Sequence, residues 1–113
     1  MITRIPGSIA TRSRAVVHNG IVTTVTTSPD KTNDMYVQVA AALANLDKNL
    51  ADAGTSKAKI LTAICYCTDM SAKAALNKAW DEWVDAANPP MRAVIGVALE
   101  GNDLIEIVCT ATV

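Results

Sequence analysis

Phenylalanine is missing from this chain altogether, and its 113 residues include one histidine, two tryptophans and two tyrosines. A core without phenylalanine is built from many small contacts, because alanine and valine each bury far less surface than an aromatic ring. One histidine, His18, leaves no set of imidazoles for a metal. There is also no Ser/His/Asp arrangement, no P-loop and no Gly-rich fingerprint, so neither a metal nor a cofactor is expected. Three cysteines cannot all pair with one another, and Cys65-Tyr66-Cys67 has neither zinc nor redox spacing. Cys65, Cys67 and Cys109 therefore read as reduced, buried thiols of a cytoplasmic protein. Ten basic residues against eleven acidic ones give no basic stripe for a phosphate backbone, which counts against nucleic acid as the main partner. The apolar runs are all short, so no membrane span is expected, and Met1-Ile-Thr-Arg-Ile-Pro6 lacks the apolar stretch of a secretory signal.

What the chain has in abundance is small apolar side chains: half of its residues are hydrophobic. The length suits one domain, residues 1–113, and the surplus of apolar surface points to an oligomer. Residues 1–12, rich in Ser, Thr and Arg, read as an irregular arm. Asn19-Gly20 stands between the β-branched runs 14–18 and 21–27 and predicts a hairpin with a type I′ turn, whose two central residues need positive φ. Val39, Leu43, Leu46 and Leu50 line one face of a helix over 34–53, with Asn33 or Asp34 as its cap and Gly54 as its stop. The mostly apolar run 60–68 predicts a strand buried on both faces. A second helix starts at Asp69 or Ser71 and runs to about Ala87, with Leu76, Trp80, Trp83 and Ala87 inward, until Asn88-Pro89-Pro90 stops it. Strands at 92–99 and 104–112 complete the chain. In the last one Ile105, Ile107, Cys109 and Ala111 face one way while Glu106, Val108, Thr110 and Thr112 face the other. The order is ββαβαββ, an α+β fold with two helices on one face of a mixed sheet and a second face of mixed polarity.

Two charged residues stand out because their neighbours are apolar. Arg92 opens a strand after Pro89-Pro90-Met91 and is followed by Ala-Val-Ile-Gly-Val-Ala-Leu. A guanidinium held there is partly desolvated, and its planar fork suits a carboxylate. Glu106 lies within Leu-Ile-Glu-Ile-Val-Cys, where apolar surroundings disfavour the charged form and suit acid/base work. Pattern alone leaves both open between a site and a solvated strand residue, and His18 beside its turn reads as solvated. If the last two strands paired as a hairpin, Arg92 and Glu106 would lie roughly 17 Å apart, so a site using both would form between chains.

Asn77-Lys-Ala-Trp80-Asp-Glu-Trp83, Pro90-Met91-Arg92-Ala-Val94 and Ile105-Glu106-Ile-Val-Cys109 together resemble the RidA/YjgF family, most closely its YoaB-like branch. The match runs in order over about residues 14–113. It implies a chorismate-mutase-like fold assembled as a homotrimer, with clefts between subunits. In that fold strand 60–68 pairs parallel with 92–99, and strand 104–112 lies on its other side. By residue, the resemblance makes Arg92 the carboxylate anchor and Glu106 the group that orients the attacking water. Asn77, Thr24, Arg12 and the backbone amide of Val94 become further substrate-binding positions. The chain departs from the family pattern in three places. The usual Ser-Gly is Thr24-Val25, which narrows the cleft. An aromatic residue is replaced by Arg12, which alters substrate choice. The common Arg-Ser-Cys is Arg92-Ala-Val94, which excludes a thiol role there. The implied activity is hydrolysis of 2-iminobutanoate- or 2-iminopropanoate-type imines, reached from enamines such as 2-aminoacrylate, without a cofactor. The alternatives are a keto-acid-binding regulator without catalysis, a hydrolase acting on a ring or carbamate-like substrate in a catabolic pathway, and an RNA-cleaving or translation-inhibiting protein. The charge balance argues against the last.

Overall fold

The computed structural model describes residues 1–113. Its strands are β1 (Thr3–Pro6), β2 (Ser13–His18), β3 (Ile21–Thr27), β4 (Ile60–Cys67), β5 (Met91–Gly96) and β6 (Ile105–Thr112), and its helices are α1 (Met35–Asp52) and α2 (Lys73–Trp83). One six-stranded sheet runs in the order β1-β2-β3-β6-β4-β5. Only β4 and β5 are parallel, joined through α2, and β6 lies antiparallel between β3 and β4. The mixed sheet with its helix layer is thus the chorismate-mutase-like α+β arrangement that the resemblance implied. The last two strands are not a hairpin, because β4 separates them. No helix is long and apolar enough to cross a membrane.

Local chemistry explains most boundaries. Asn19 (φ 50°) and Gly20 (φ 76°) both take the left-handed conformation that the β2–β3 turn requires. Asp34 caps α1 by accepting from the Val37 amide at 2.9 Å. At the other end Gly54, with φ 86°, lets its own amide and that of Thr55 fold back onto the carbonyls of Ala51 and Leu50.

Four expectations need correction. The arm is not irregular: Thr3–Pro6 pairs with β2 as an edge strand and adds an element to the expected order. The second helix ends at Trp83 rather than Ala87. Asp85 turns its carboxylate onto the Ala87 amide and Asn88, offering the backbone a turn in place of another helical bond. It begins at Lys73, after a short 3-10 turn at Met70–Ala72 that Asp69 caps. Finally, β4 is buried on one face only, since Thr62, Ile64 and Tyr66 on the other are half-exposed.

The core lies between the helices and one face of the sheet. Leu43, Leu46 and Leu50 of α1 and Leu76 of α2 are almost fully buried against Ala63, Cys65, Ile105, Ile107 and Cys109. Each buried leucine contributes about 1.5–3 kcal/mol, which is how a chain without phenylalanine builds its core. All three cysteines are free and sit on this inner face. Burial pushes the Cys65 thiol up to about 11, and the Arg92 charge pulls weakly the other way; burial likewise raises Cys109 to about 12.

The opposite face carries no helix. Strand register arranges it in rows: Thr23, Thr110, Thr62 and Met91; then Val25, Val108, Ile64 and Ala93; then Thr27, Glu106, Tyr66 and Ile95. Met91 and Ile95 are strongly exposed there.

Candidate functional site

The expected site residues fall into two groups. The first is at the β5 edge. Arg92 lies opposite Ala63 on the inner face, so its side chain turns towards α2. There Nη2 donates to Oδ1 of Asn77 at 2.7 Å, and the guanidinium carbon stands 5.3 Å from the centre of the Trp80 ring. Asn77 and Trp80 lie three residues apart on α2, so one helical face supplies both contacts. Nη1 is buried and has no hydrogen-bond partner. A buried donor left unpaired costs on the order of 1–3 kcal/mol, more when charged, and its natural complement is an acceptor from outside the chain.

Val94 belongs to the same group through its backbone. The Val97 amide bonds the Cys67 carbonyl at 2.9 Å, so the amides of alternate residues, Arg92, Val94 and Gly96, point away from β4. No strand lies on that side. The Val94 side chain packs inward on the core, leaving the amide as its available polar group.

The second group gathers around Glu106 on the open face, between Thr27 of β3 and Tyr66 of β4. Glu106 lines a cavity of about 740 Å³ together with Ser8, Arg12, Ser13, Thr27 and Asn45. The cavity is closed on one side by the turn between β1 and β2, where Gly7 and Arg12 bond through their backbones at 3.1 Å. Arg12 is exposed at its wall.

Thr24 does not line this cavity, and its hydroxyl turns inward. It is 3% exposed, donates to the Arg14 carbonyl at 2.7 Å and accepts from Asn49 Nδ2 at 3.2 Å. Asn49 also binds Arg14, and Arg14 reaches Asp52 at 2.6 Å, which pins β2 and β3 to α1. His18 stands at the other end of the sheet. Its partner Ile21 is six residues along β3 from Thr27, so His18 and Glu106 are about 20 Å apart along the strands and about 10 Å across them.

Arg92 and Glu106 do not meet within a protomer. Their partners on β4, Ala63 and Tyr66, put them roughly 10 Å apart along the strands and 10 Å across, about 14 Å in all, on opposite faces. Sequence reasoning missed Trp80, Asn45, Thr27 and Tyr66 as neighbours of these groups. Asn45 and Asn49, four apart on one side of α1, were the available signal for polar surroundings. Thr27 and Tyr66 required the strand register.

The family model described as Endoribonuclease L-PSP matches residues 2–113. A RutC family protein of Haemophilus ducreyi is 40% identical over 116 residues, covering 100% of this chain and 97% of that protein. The RutC family protein YoaB of Escherichia coli is 34% identical over 87 residues, 77% of this chain and 76% of the relative. Among solved structures, a member of the YjgF protein family from Neisseria meningitidis superposes with a TM-score of 0.93 at 32% identity, over 99% of this chain and 94% of the other. With a family model matching nearly the whole chain, relatives 34% and 40% identical to it, and a fold that superposes on a YjgF protein, the chain belongs to the Endoribonuclease L-PSP family, the YjgF/RidA family.

Proposed function

We propose that the protein hydrolyses small 2-imino acids, of the 2-iminopropanoate and 2-iminobutanoate type, to 2-keto acids and ammonium. The observation that carries this reading is the buried, unpaired Nη1 of Arg92 beside Asn77. A guanidinium already fixed by one acceptor and one ring lacks an anion to complete it, and the substrate carboxylate is that anion. The Val94 amide at the same strand edge is a second donor for it. Glu106, on the wall of a polar cavity, takes a proton from water as the water oxygen bonds to the imine carbon. Glu106 returns that proton to the nitrogen as the C=N electron pair moves there, giving the carbinolamine. Glu106 then carries the hydroxyl proton to the nitrogen, the C–N bond breaks, ammonia leaves to be protonated by solvent, and the C=O bond closes. Orientation supplies much of what an already electrophilic carbon needs, so no redox step or cofactor enters.

Because Arg92 and Glu106 stand on opposite faces, the reading includes assembly. The open face of one protomer meets the β5 edge of the next in a homotrimer, and each cleft takes its carboxylate anchor and its base from different chains. The row Val25, Val108, Ile64 and the exposed Met91 and Ile95 supports such a contact. Three free cysteines fit a reducing, cytoplasmic setting. Thr24 acts in this scheme by helping to pin β2 and β3 to α1 rather than by touching substrate. RNA cleavage is disfavoured by the separation of His18 from Glu106 and by the balanced charge.

The test is ammonia release from iminopropanoate freshly generated by an amino-acid oxidase. Arg92→Ala is expected to abolish the enzyme-dependent part while sedimentation stays unchanged; unaltered turnover refutes the assignment. Pyruvate binding without any acceleration of hydrolysis identifies a binding protein instead.

A further inference from the structure

We propose that Arg12 makes this site selective for 2-imino acids bearing a second carboxylate on the side chain, a proposal that rests on the function proposed above. Two guanidinium groups line the cavity that holds Glu106, and they differ in their commitments. Arg14 is fully engaged, with Asp52 at 2.6 Å, Asn49 at 3.0 Å and the Pro6 carbonyl at 3.0 Å. The Arg12 side chain makes no ion pair or hydrogen bond within the chain, and Glu106, the one acid on the cavity wall, is not bound to it.

Its backbone, by contrast, is locked. The Arg12 amide bonds the Ile9 carbonyl at 3.1 Å and its carbonyl receives the Gly7 amide at 3.1 Å. A Cβ at position 7 would stand 2.8 Å from that carbonyl oxygen, so only glycine lets the turn close this tightly. A closed turn thus delivers a free cation to one place on the wall.

Size argues the same way. A three-carbon imino acid occupies a small part of a cavity of about 740 Å³. Arg12 and Glu106 line the same cavity, so a substrate whose imine carbon lies beside Glu106 shares that space with the free guanidinium, and a second carboxylate on its side chain is the group that cation takes. Two-electron oxidation of an acidic amino acid, or β-elimination from a β-substituted one, supplies such a substrate.

The experiment compares imines generated in situ from acidic amino acids with those from alanine, following their loss by semicarbazide trapping in the wild-type protein, Arg12→Gln and Arg12→Lys. The wild type is expected to favour the dicarboxylate. The ratio of kcat/KM for dicarboxylate over monocarboxylate should fall roughly tenfold in Arg12→Gln, the lower end for a charged hydrogen bond because the residue is exposed. Arg12→Lys should keep part of the ratio, having the charge but not the planar fork. The wild-type ratio should also fall with salt, as the screening length shrinks to about 3 Å at 1 M. A wild type without preference, or a ratio indifferent to Arg12, overturns this proposal alone. Failure of the wild type to hydrolyse either imine overturns it together with the function on which it rests.

Discussion

Arg92 and Asn77 form a matched pair across the edge of the sheet: the amide oxygen of Asn77 holds Nη2 at 2.7 Å, and Nη1 stays buried without an acceptor. The helix dictates where the guanidinium stands, and the strand dictates that it is there at all. Trp80, 5.3 Å away, closes the remaining face of the group.

Removing that orientation should cost binding more than chemistry. Asn77→Ala is expected to raise KM for iminopropanoate roughly tenfold, equivalent to about 1.4 kcal/mol, with kcat falling less. Steady-state kinetics checks this. An unchanged KM would mean that Arg92 is positioned by Trp80 and the strand alone.

The alkaline limb of stability should report the buried thiols. Cys65 and Cys109 are raised to about 11 and about 12 in the folded protein, against an ordinary value of 9.0. Below pH 9 both states hold the protons and nothing changes. Between pH 9 and 11 the unfolded chain ionises while the folded chain does not, so stability falls as pH rises. The expected slope is up to about 1.4 kcal/mol per pH unit for each thiol. Urea midpoints measured from pH 8 to 11 should fall in the wild type and flatten in a Cys65→Ala, Cys109→Ala double variant.

A cationic group on the open face tests assembly separately from folding. Ile64→Lys sits in the row with Val25 and Val108, half-exposed in the protomer. Sedimentation should show protomers with an unchanged far-ultraviolet dichroism spectrum, and imine hydrolysis should be lost because anchor and base no longer meet. A variant that stays assembled and active would place the interface elsewhere.

The helix cap offers a purely structural control. Asp34→Ala removes the acceptor for the Val37 amide and should lower stability by about 1 kcal/mol, read from a urea titration, with no effect on the preference between substrates.

Much of this fold was readable because local signals agree with the tertiary arrangement. Asn19-Gly20, the four-three-four spacing of Val39 to Leu50, and the alternation from Ile105 to Thr112 each name an element from its own residues. Most of what failed did so for nonlocal reasons, the end of the second helix excepted. Thr3–Pro6 becomes a strand only because β2 offers it an edge, and four residues with a proline carry no period of their own. The second helix was overextended because Ala87 continued the spacing, whereas Asp85 ended the helix through its side chain. Strand β4 reads as buried on both faces because the run is mostly apolar, although nothing in one protomer covers the face of Thr62, Ile64 and Tyr66. For the site, Arg92 and Glu106 were conspicuous as charges among apolar residues. Their separation onto opposite faces, and the neighbours Trp80, Thr27 and Tyr66, depended on strand register, which pairs residues far apart in the chain.

A newborn protomer leaves the ribosome with one flank of β5 ready to accept any extended chain. The outward amides of Arg92, Val94 and Gly96, next to the exposed Met91 and Ile95, form an edge without the lysines or internal prolines that normally blunt such strands. Under the assembly proposed above, overproduction sets orderly association in competition with strand-mediated aggregation, and the balance depends on how quickly each chain meets its own kind. A lysine at Ile95, acting as a gatekeeper, should shift recovered protein from inclusion bodies to the soluble fraction.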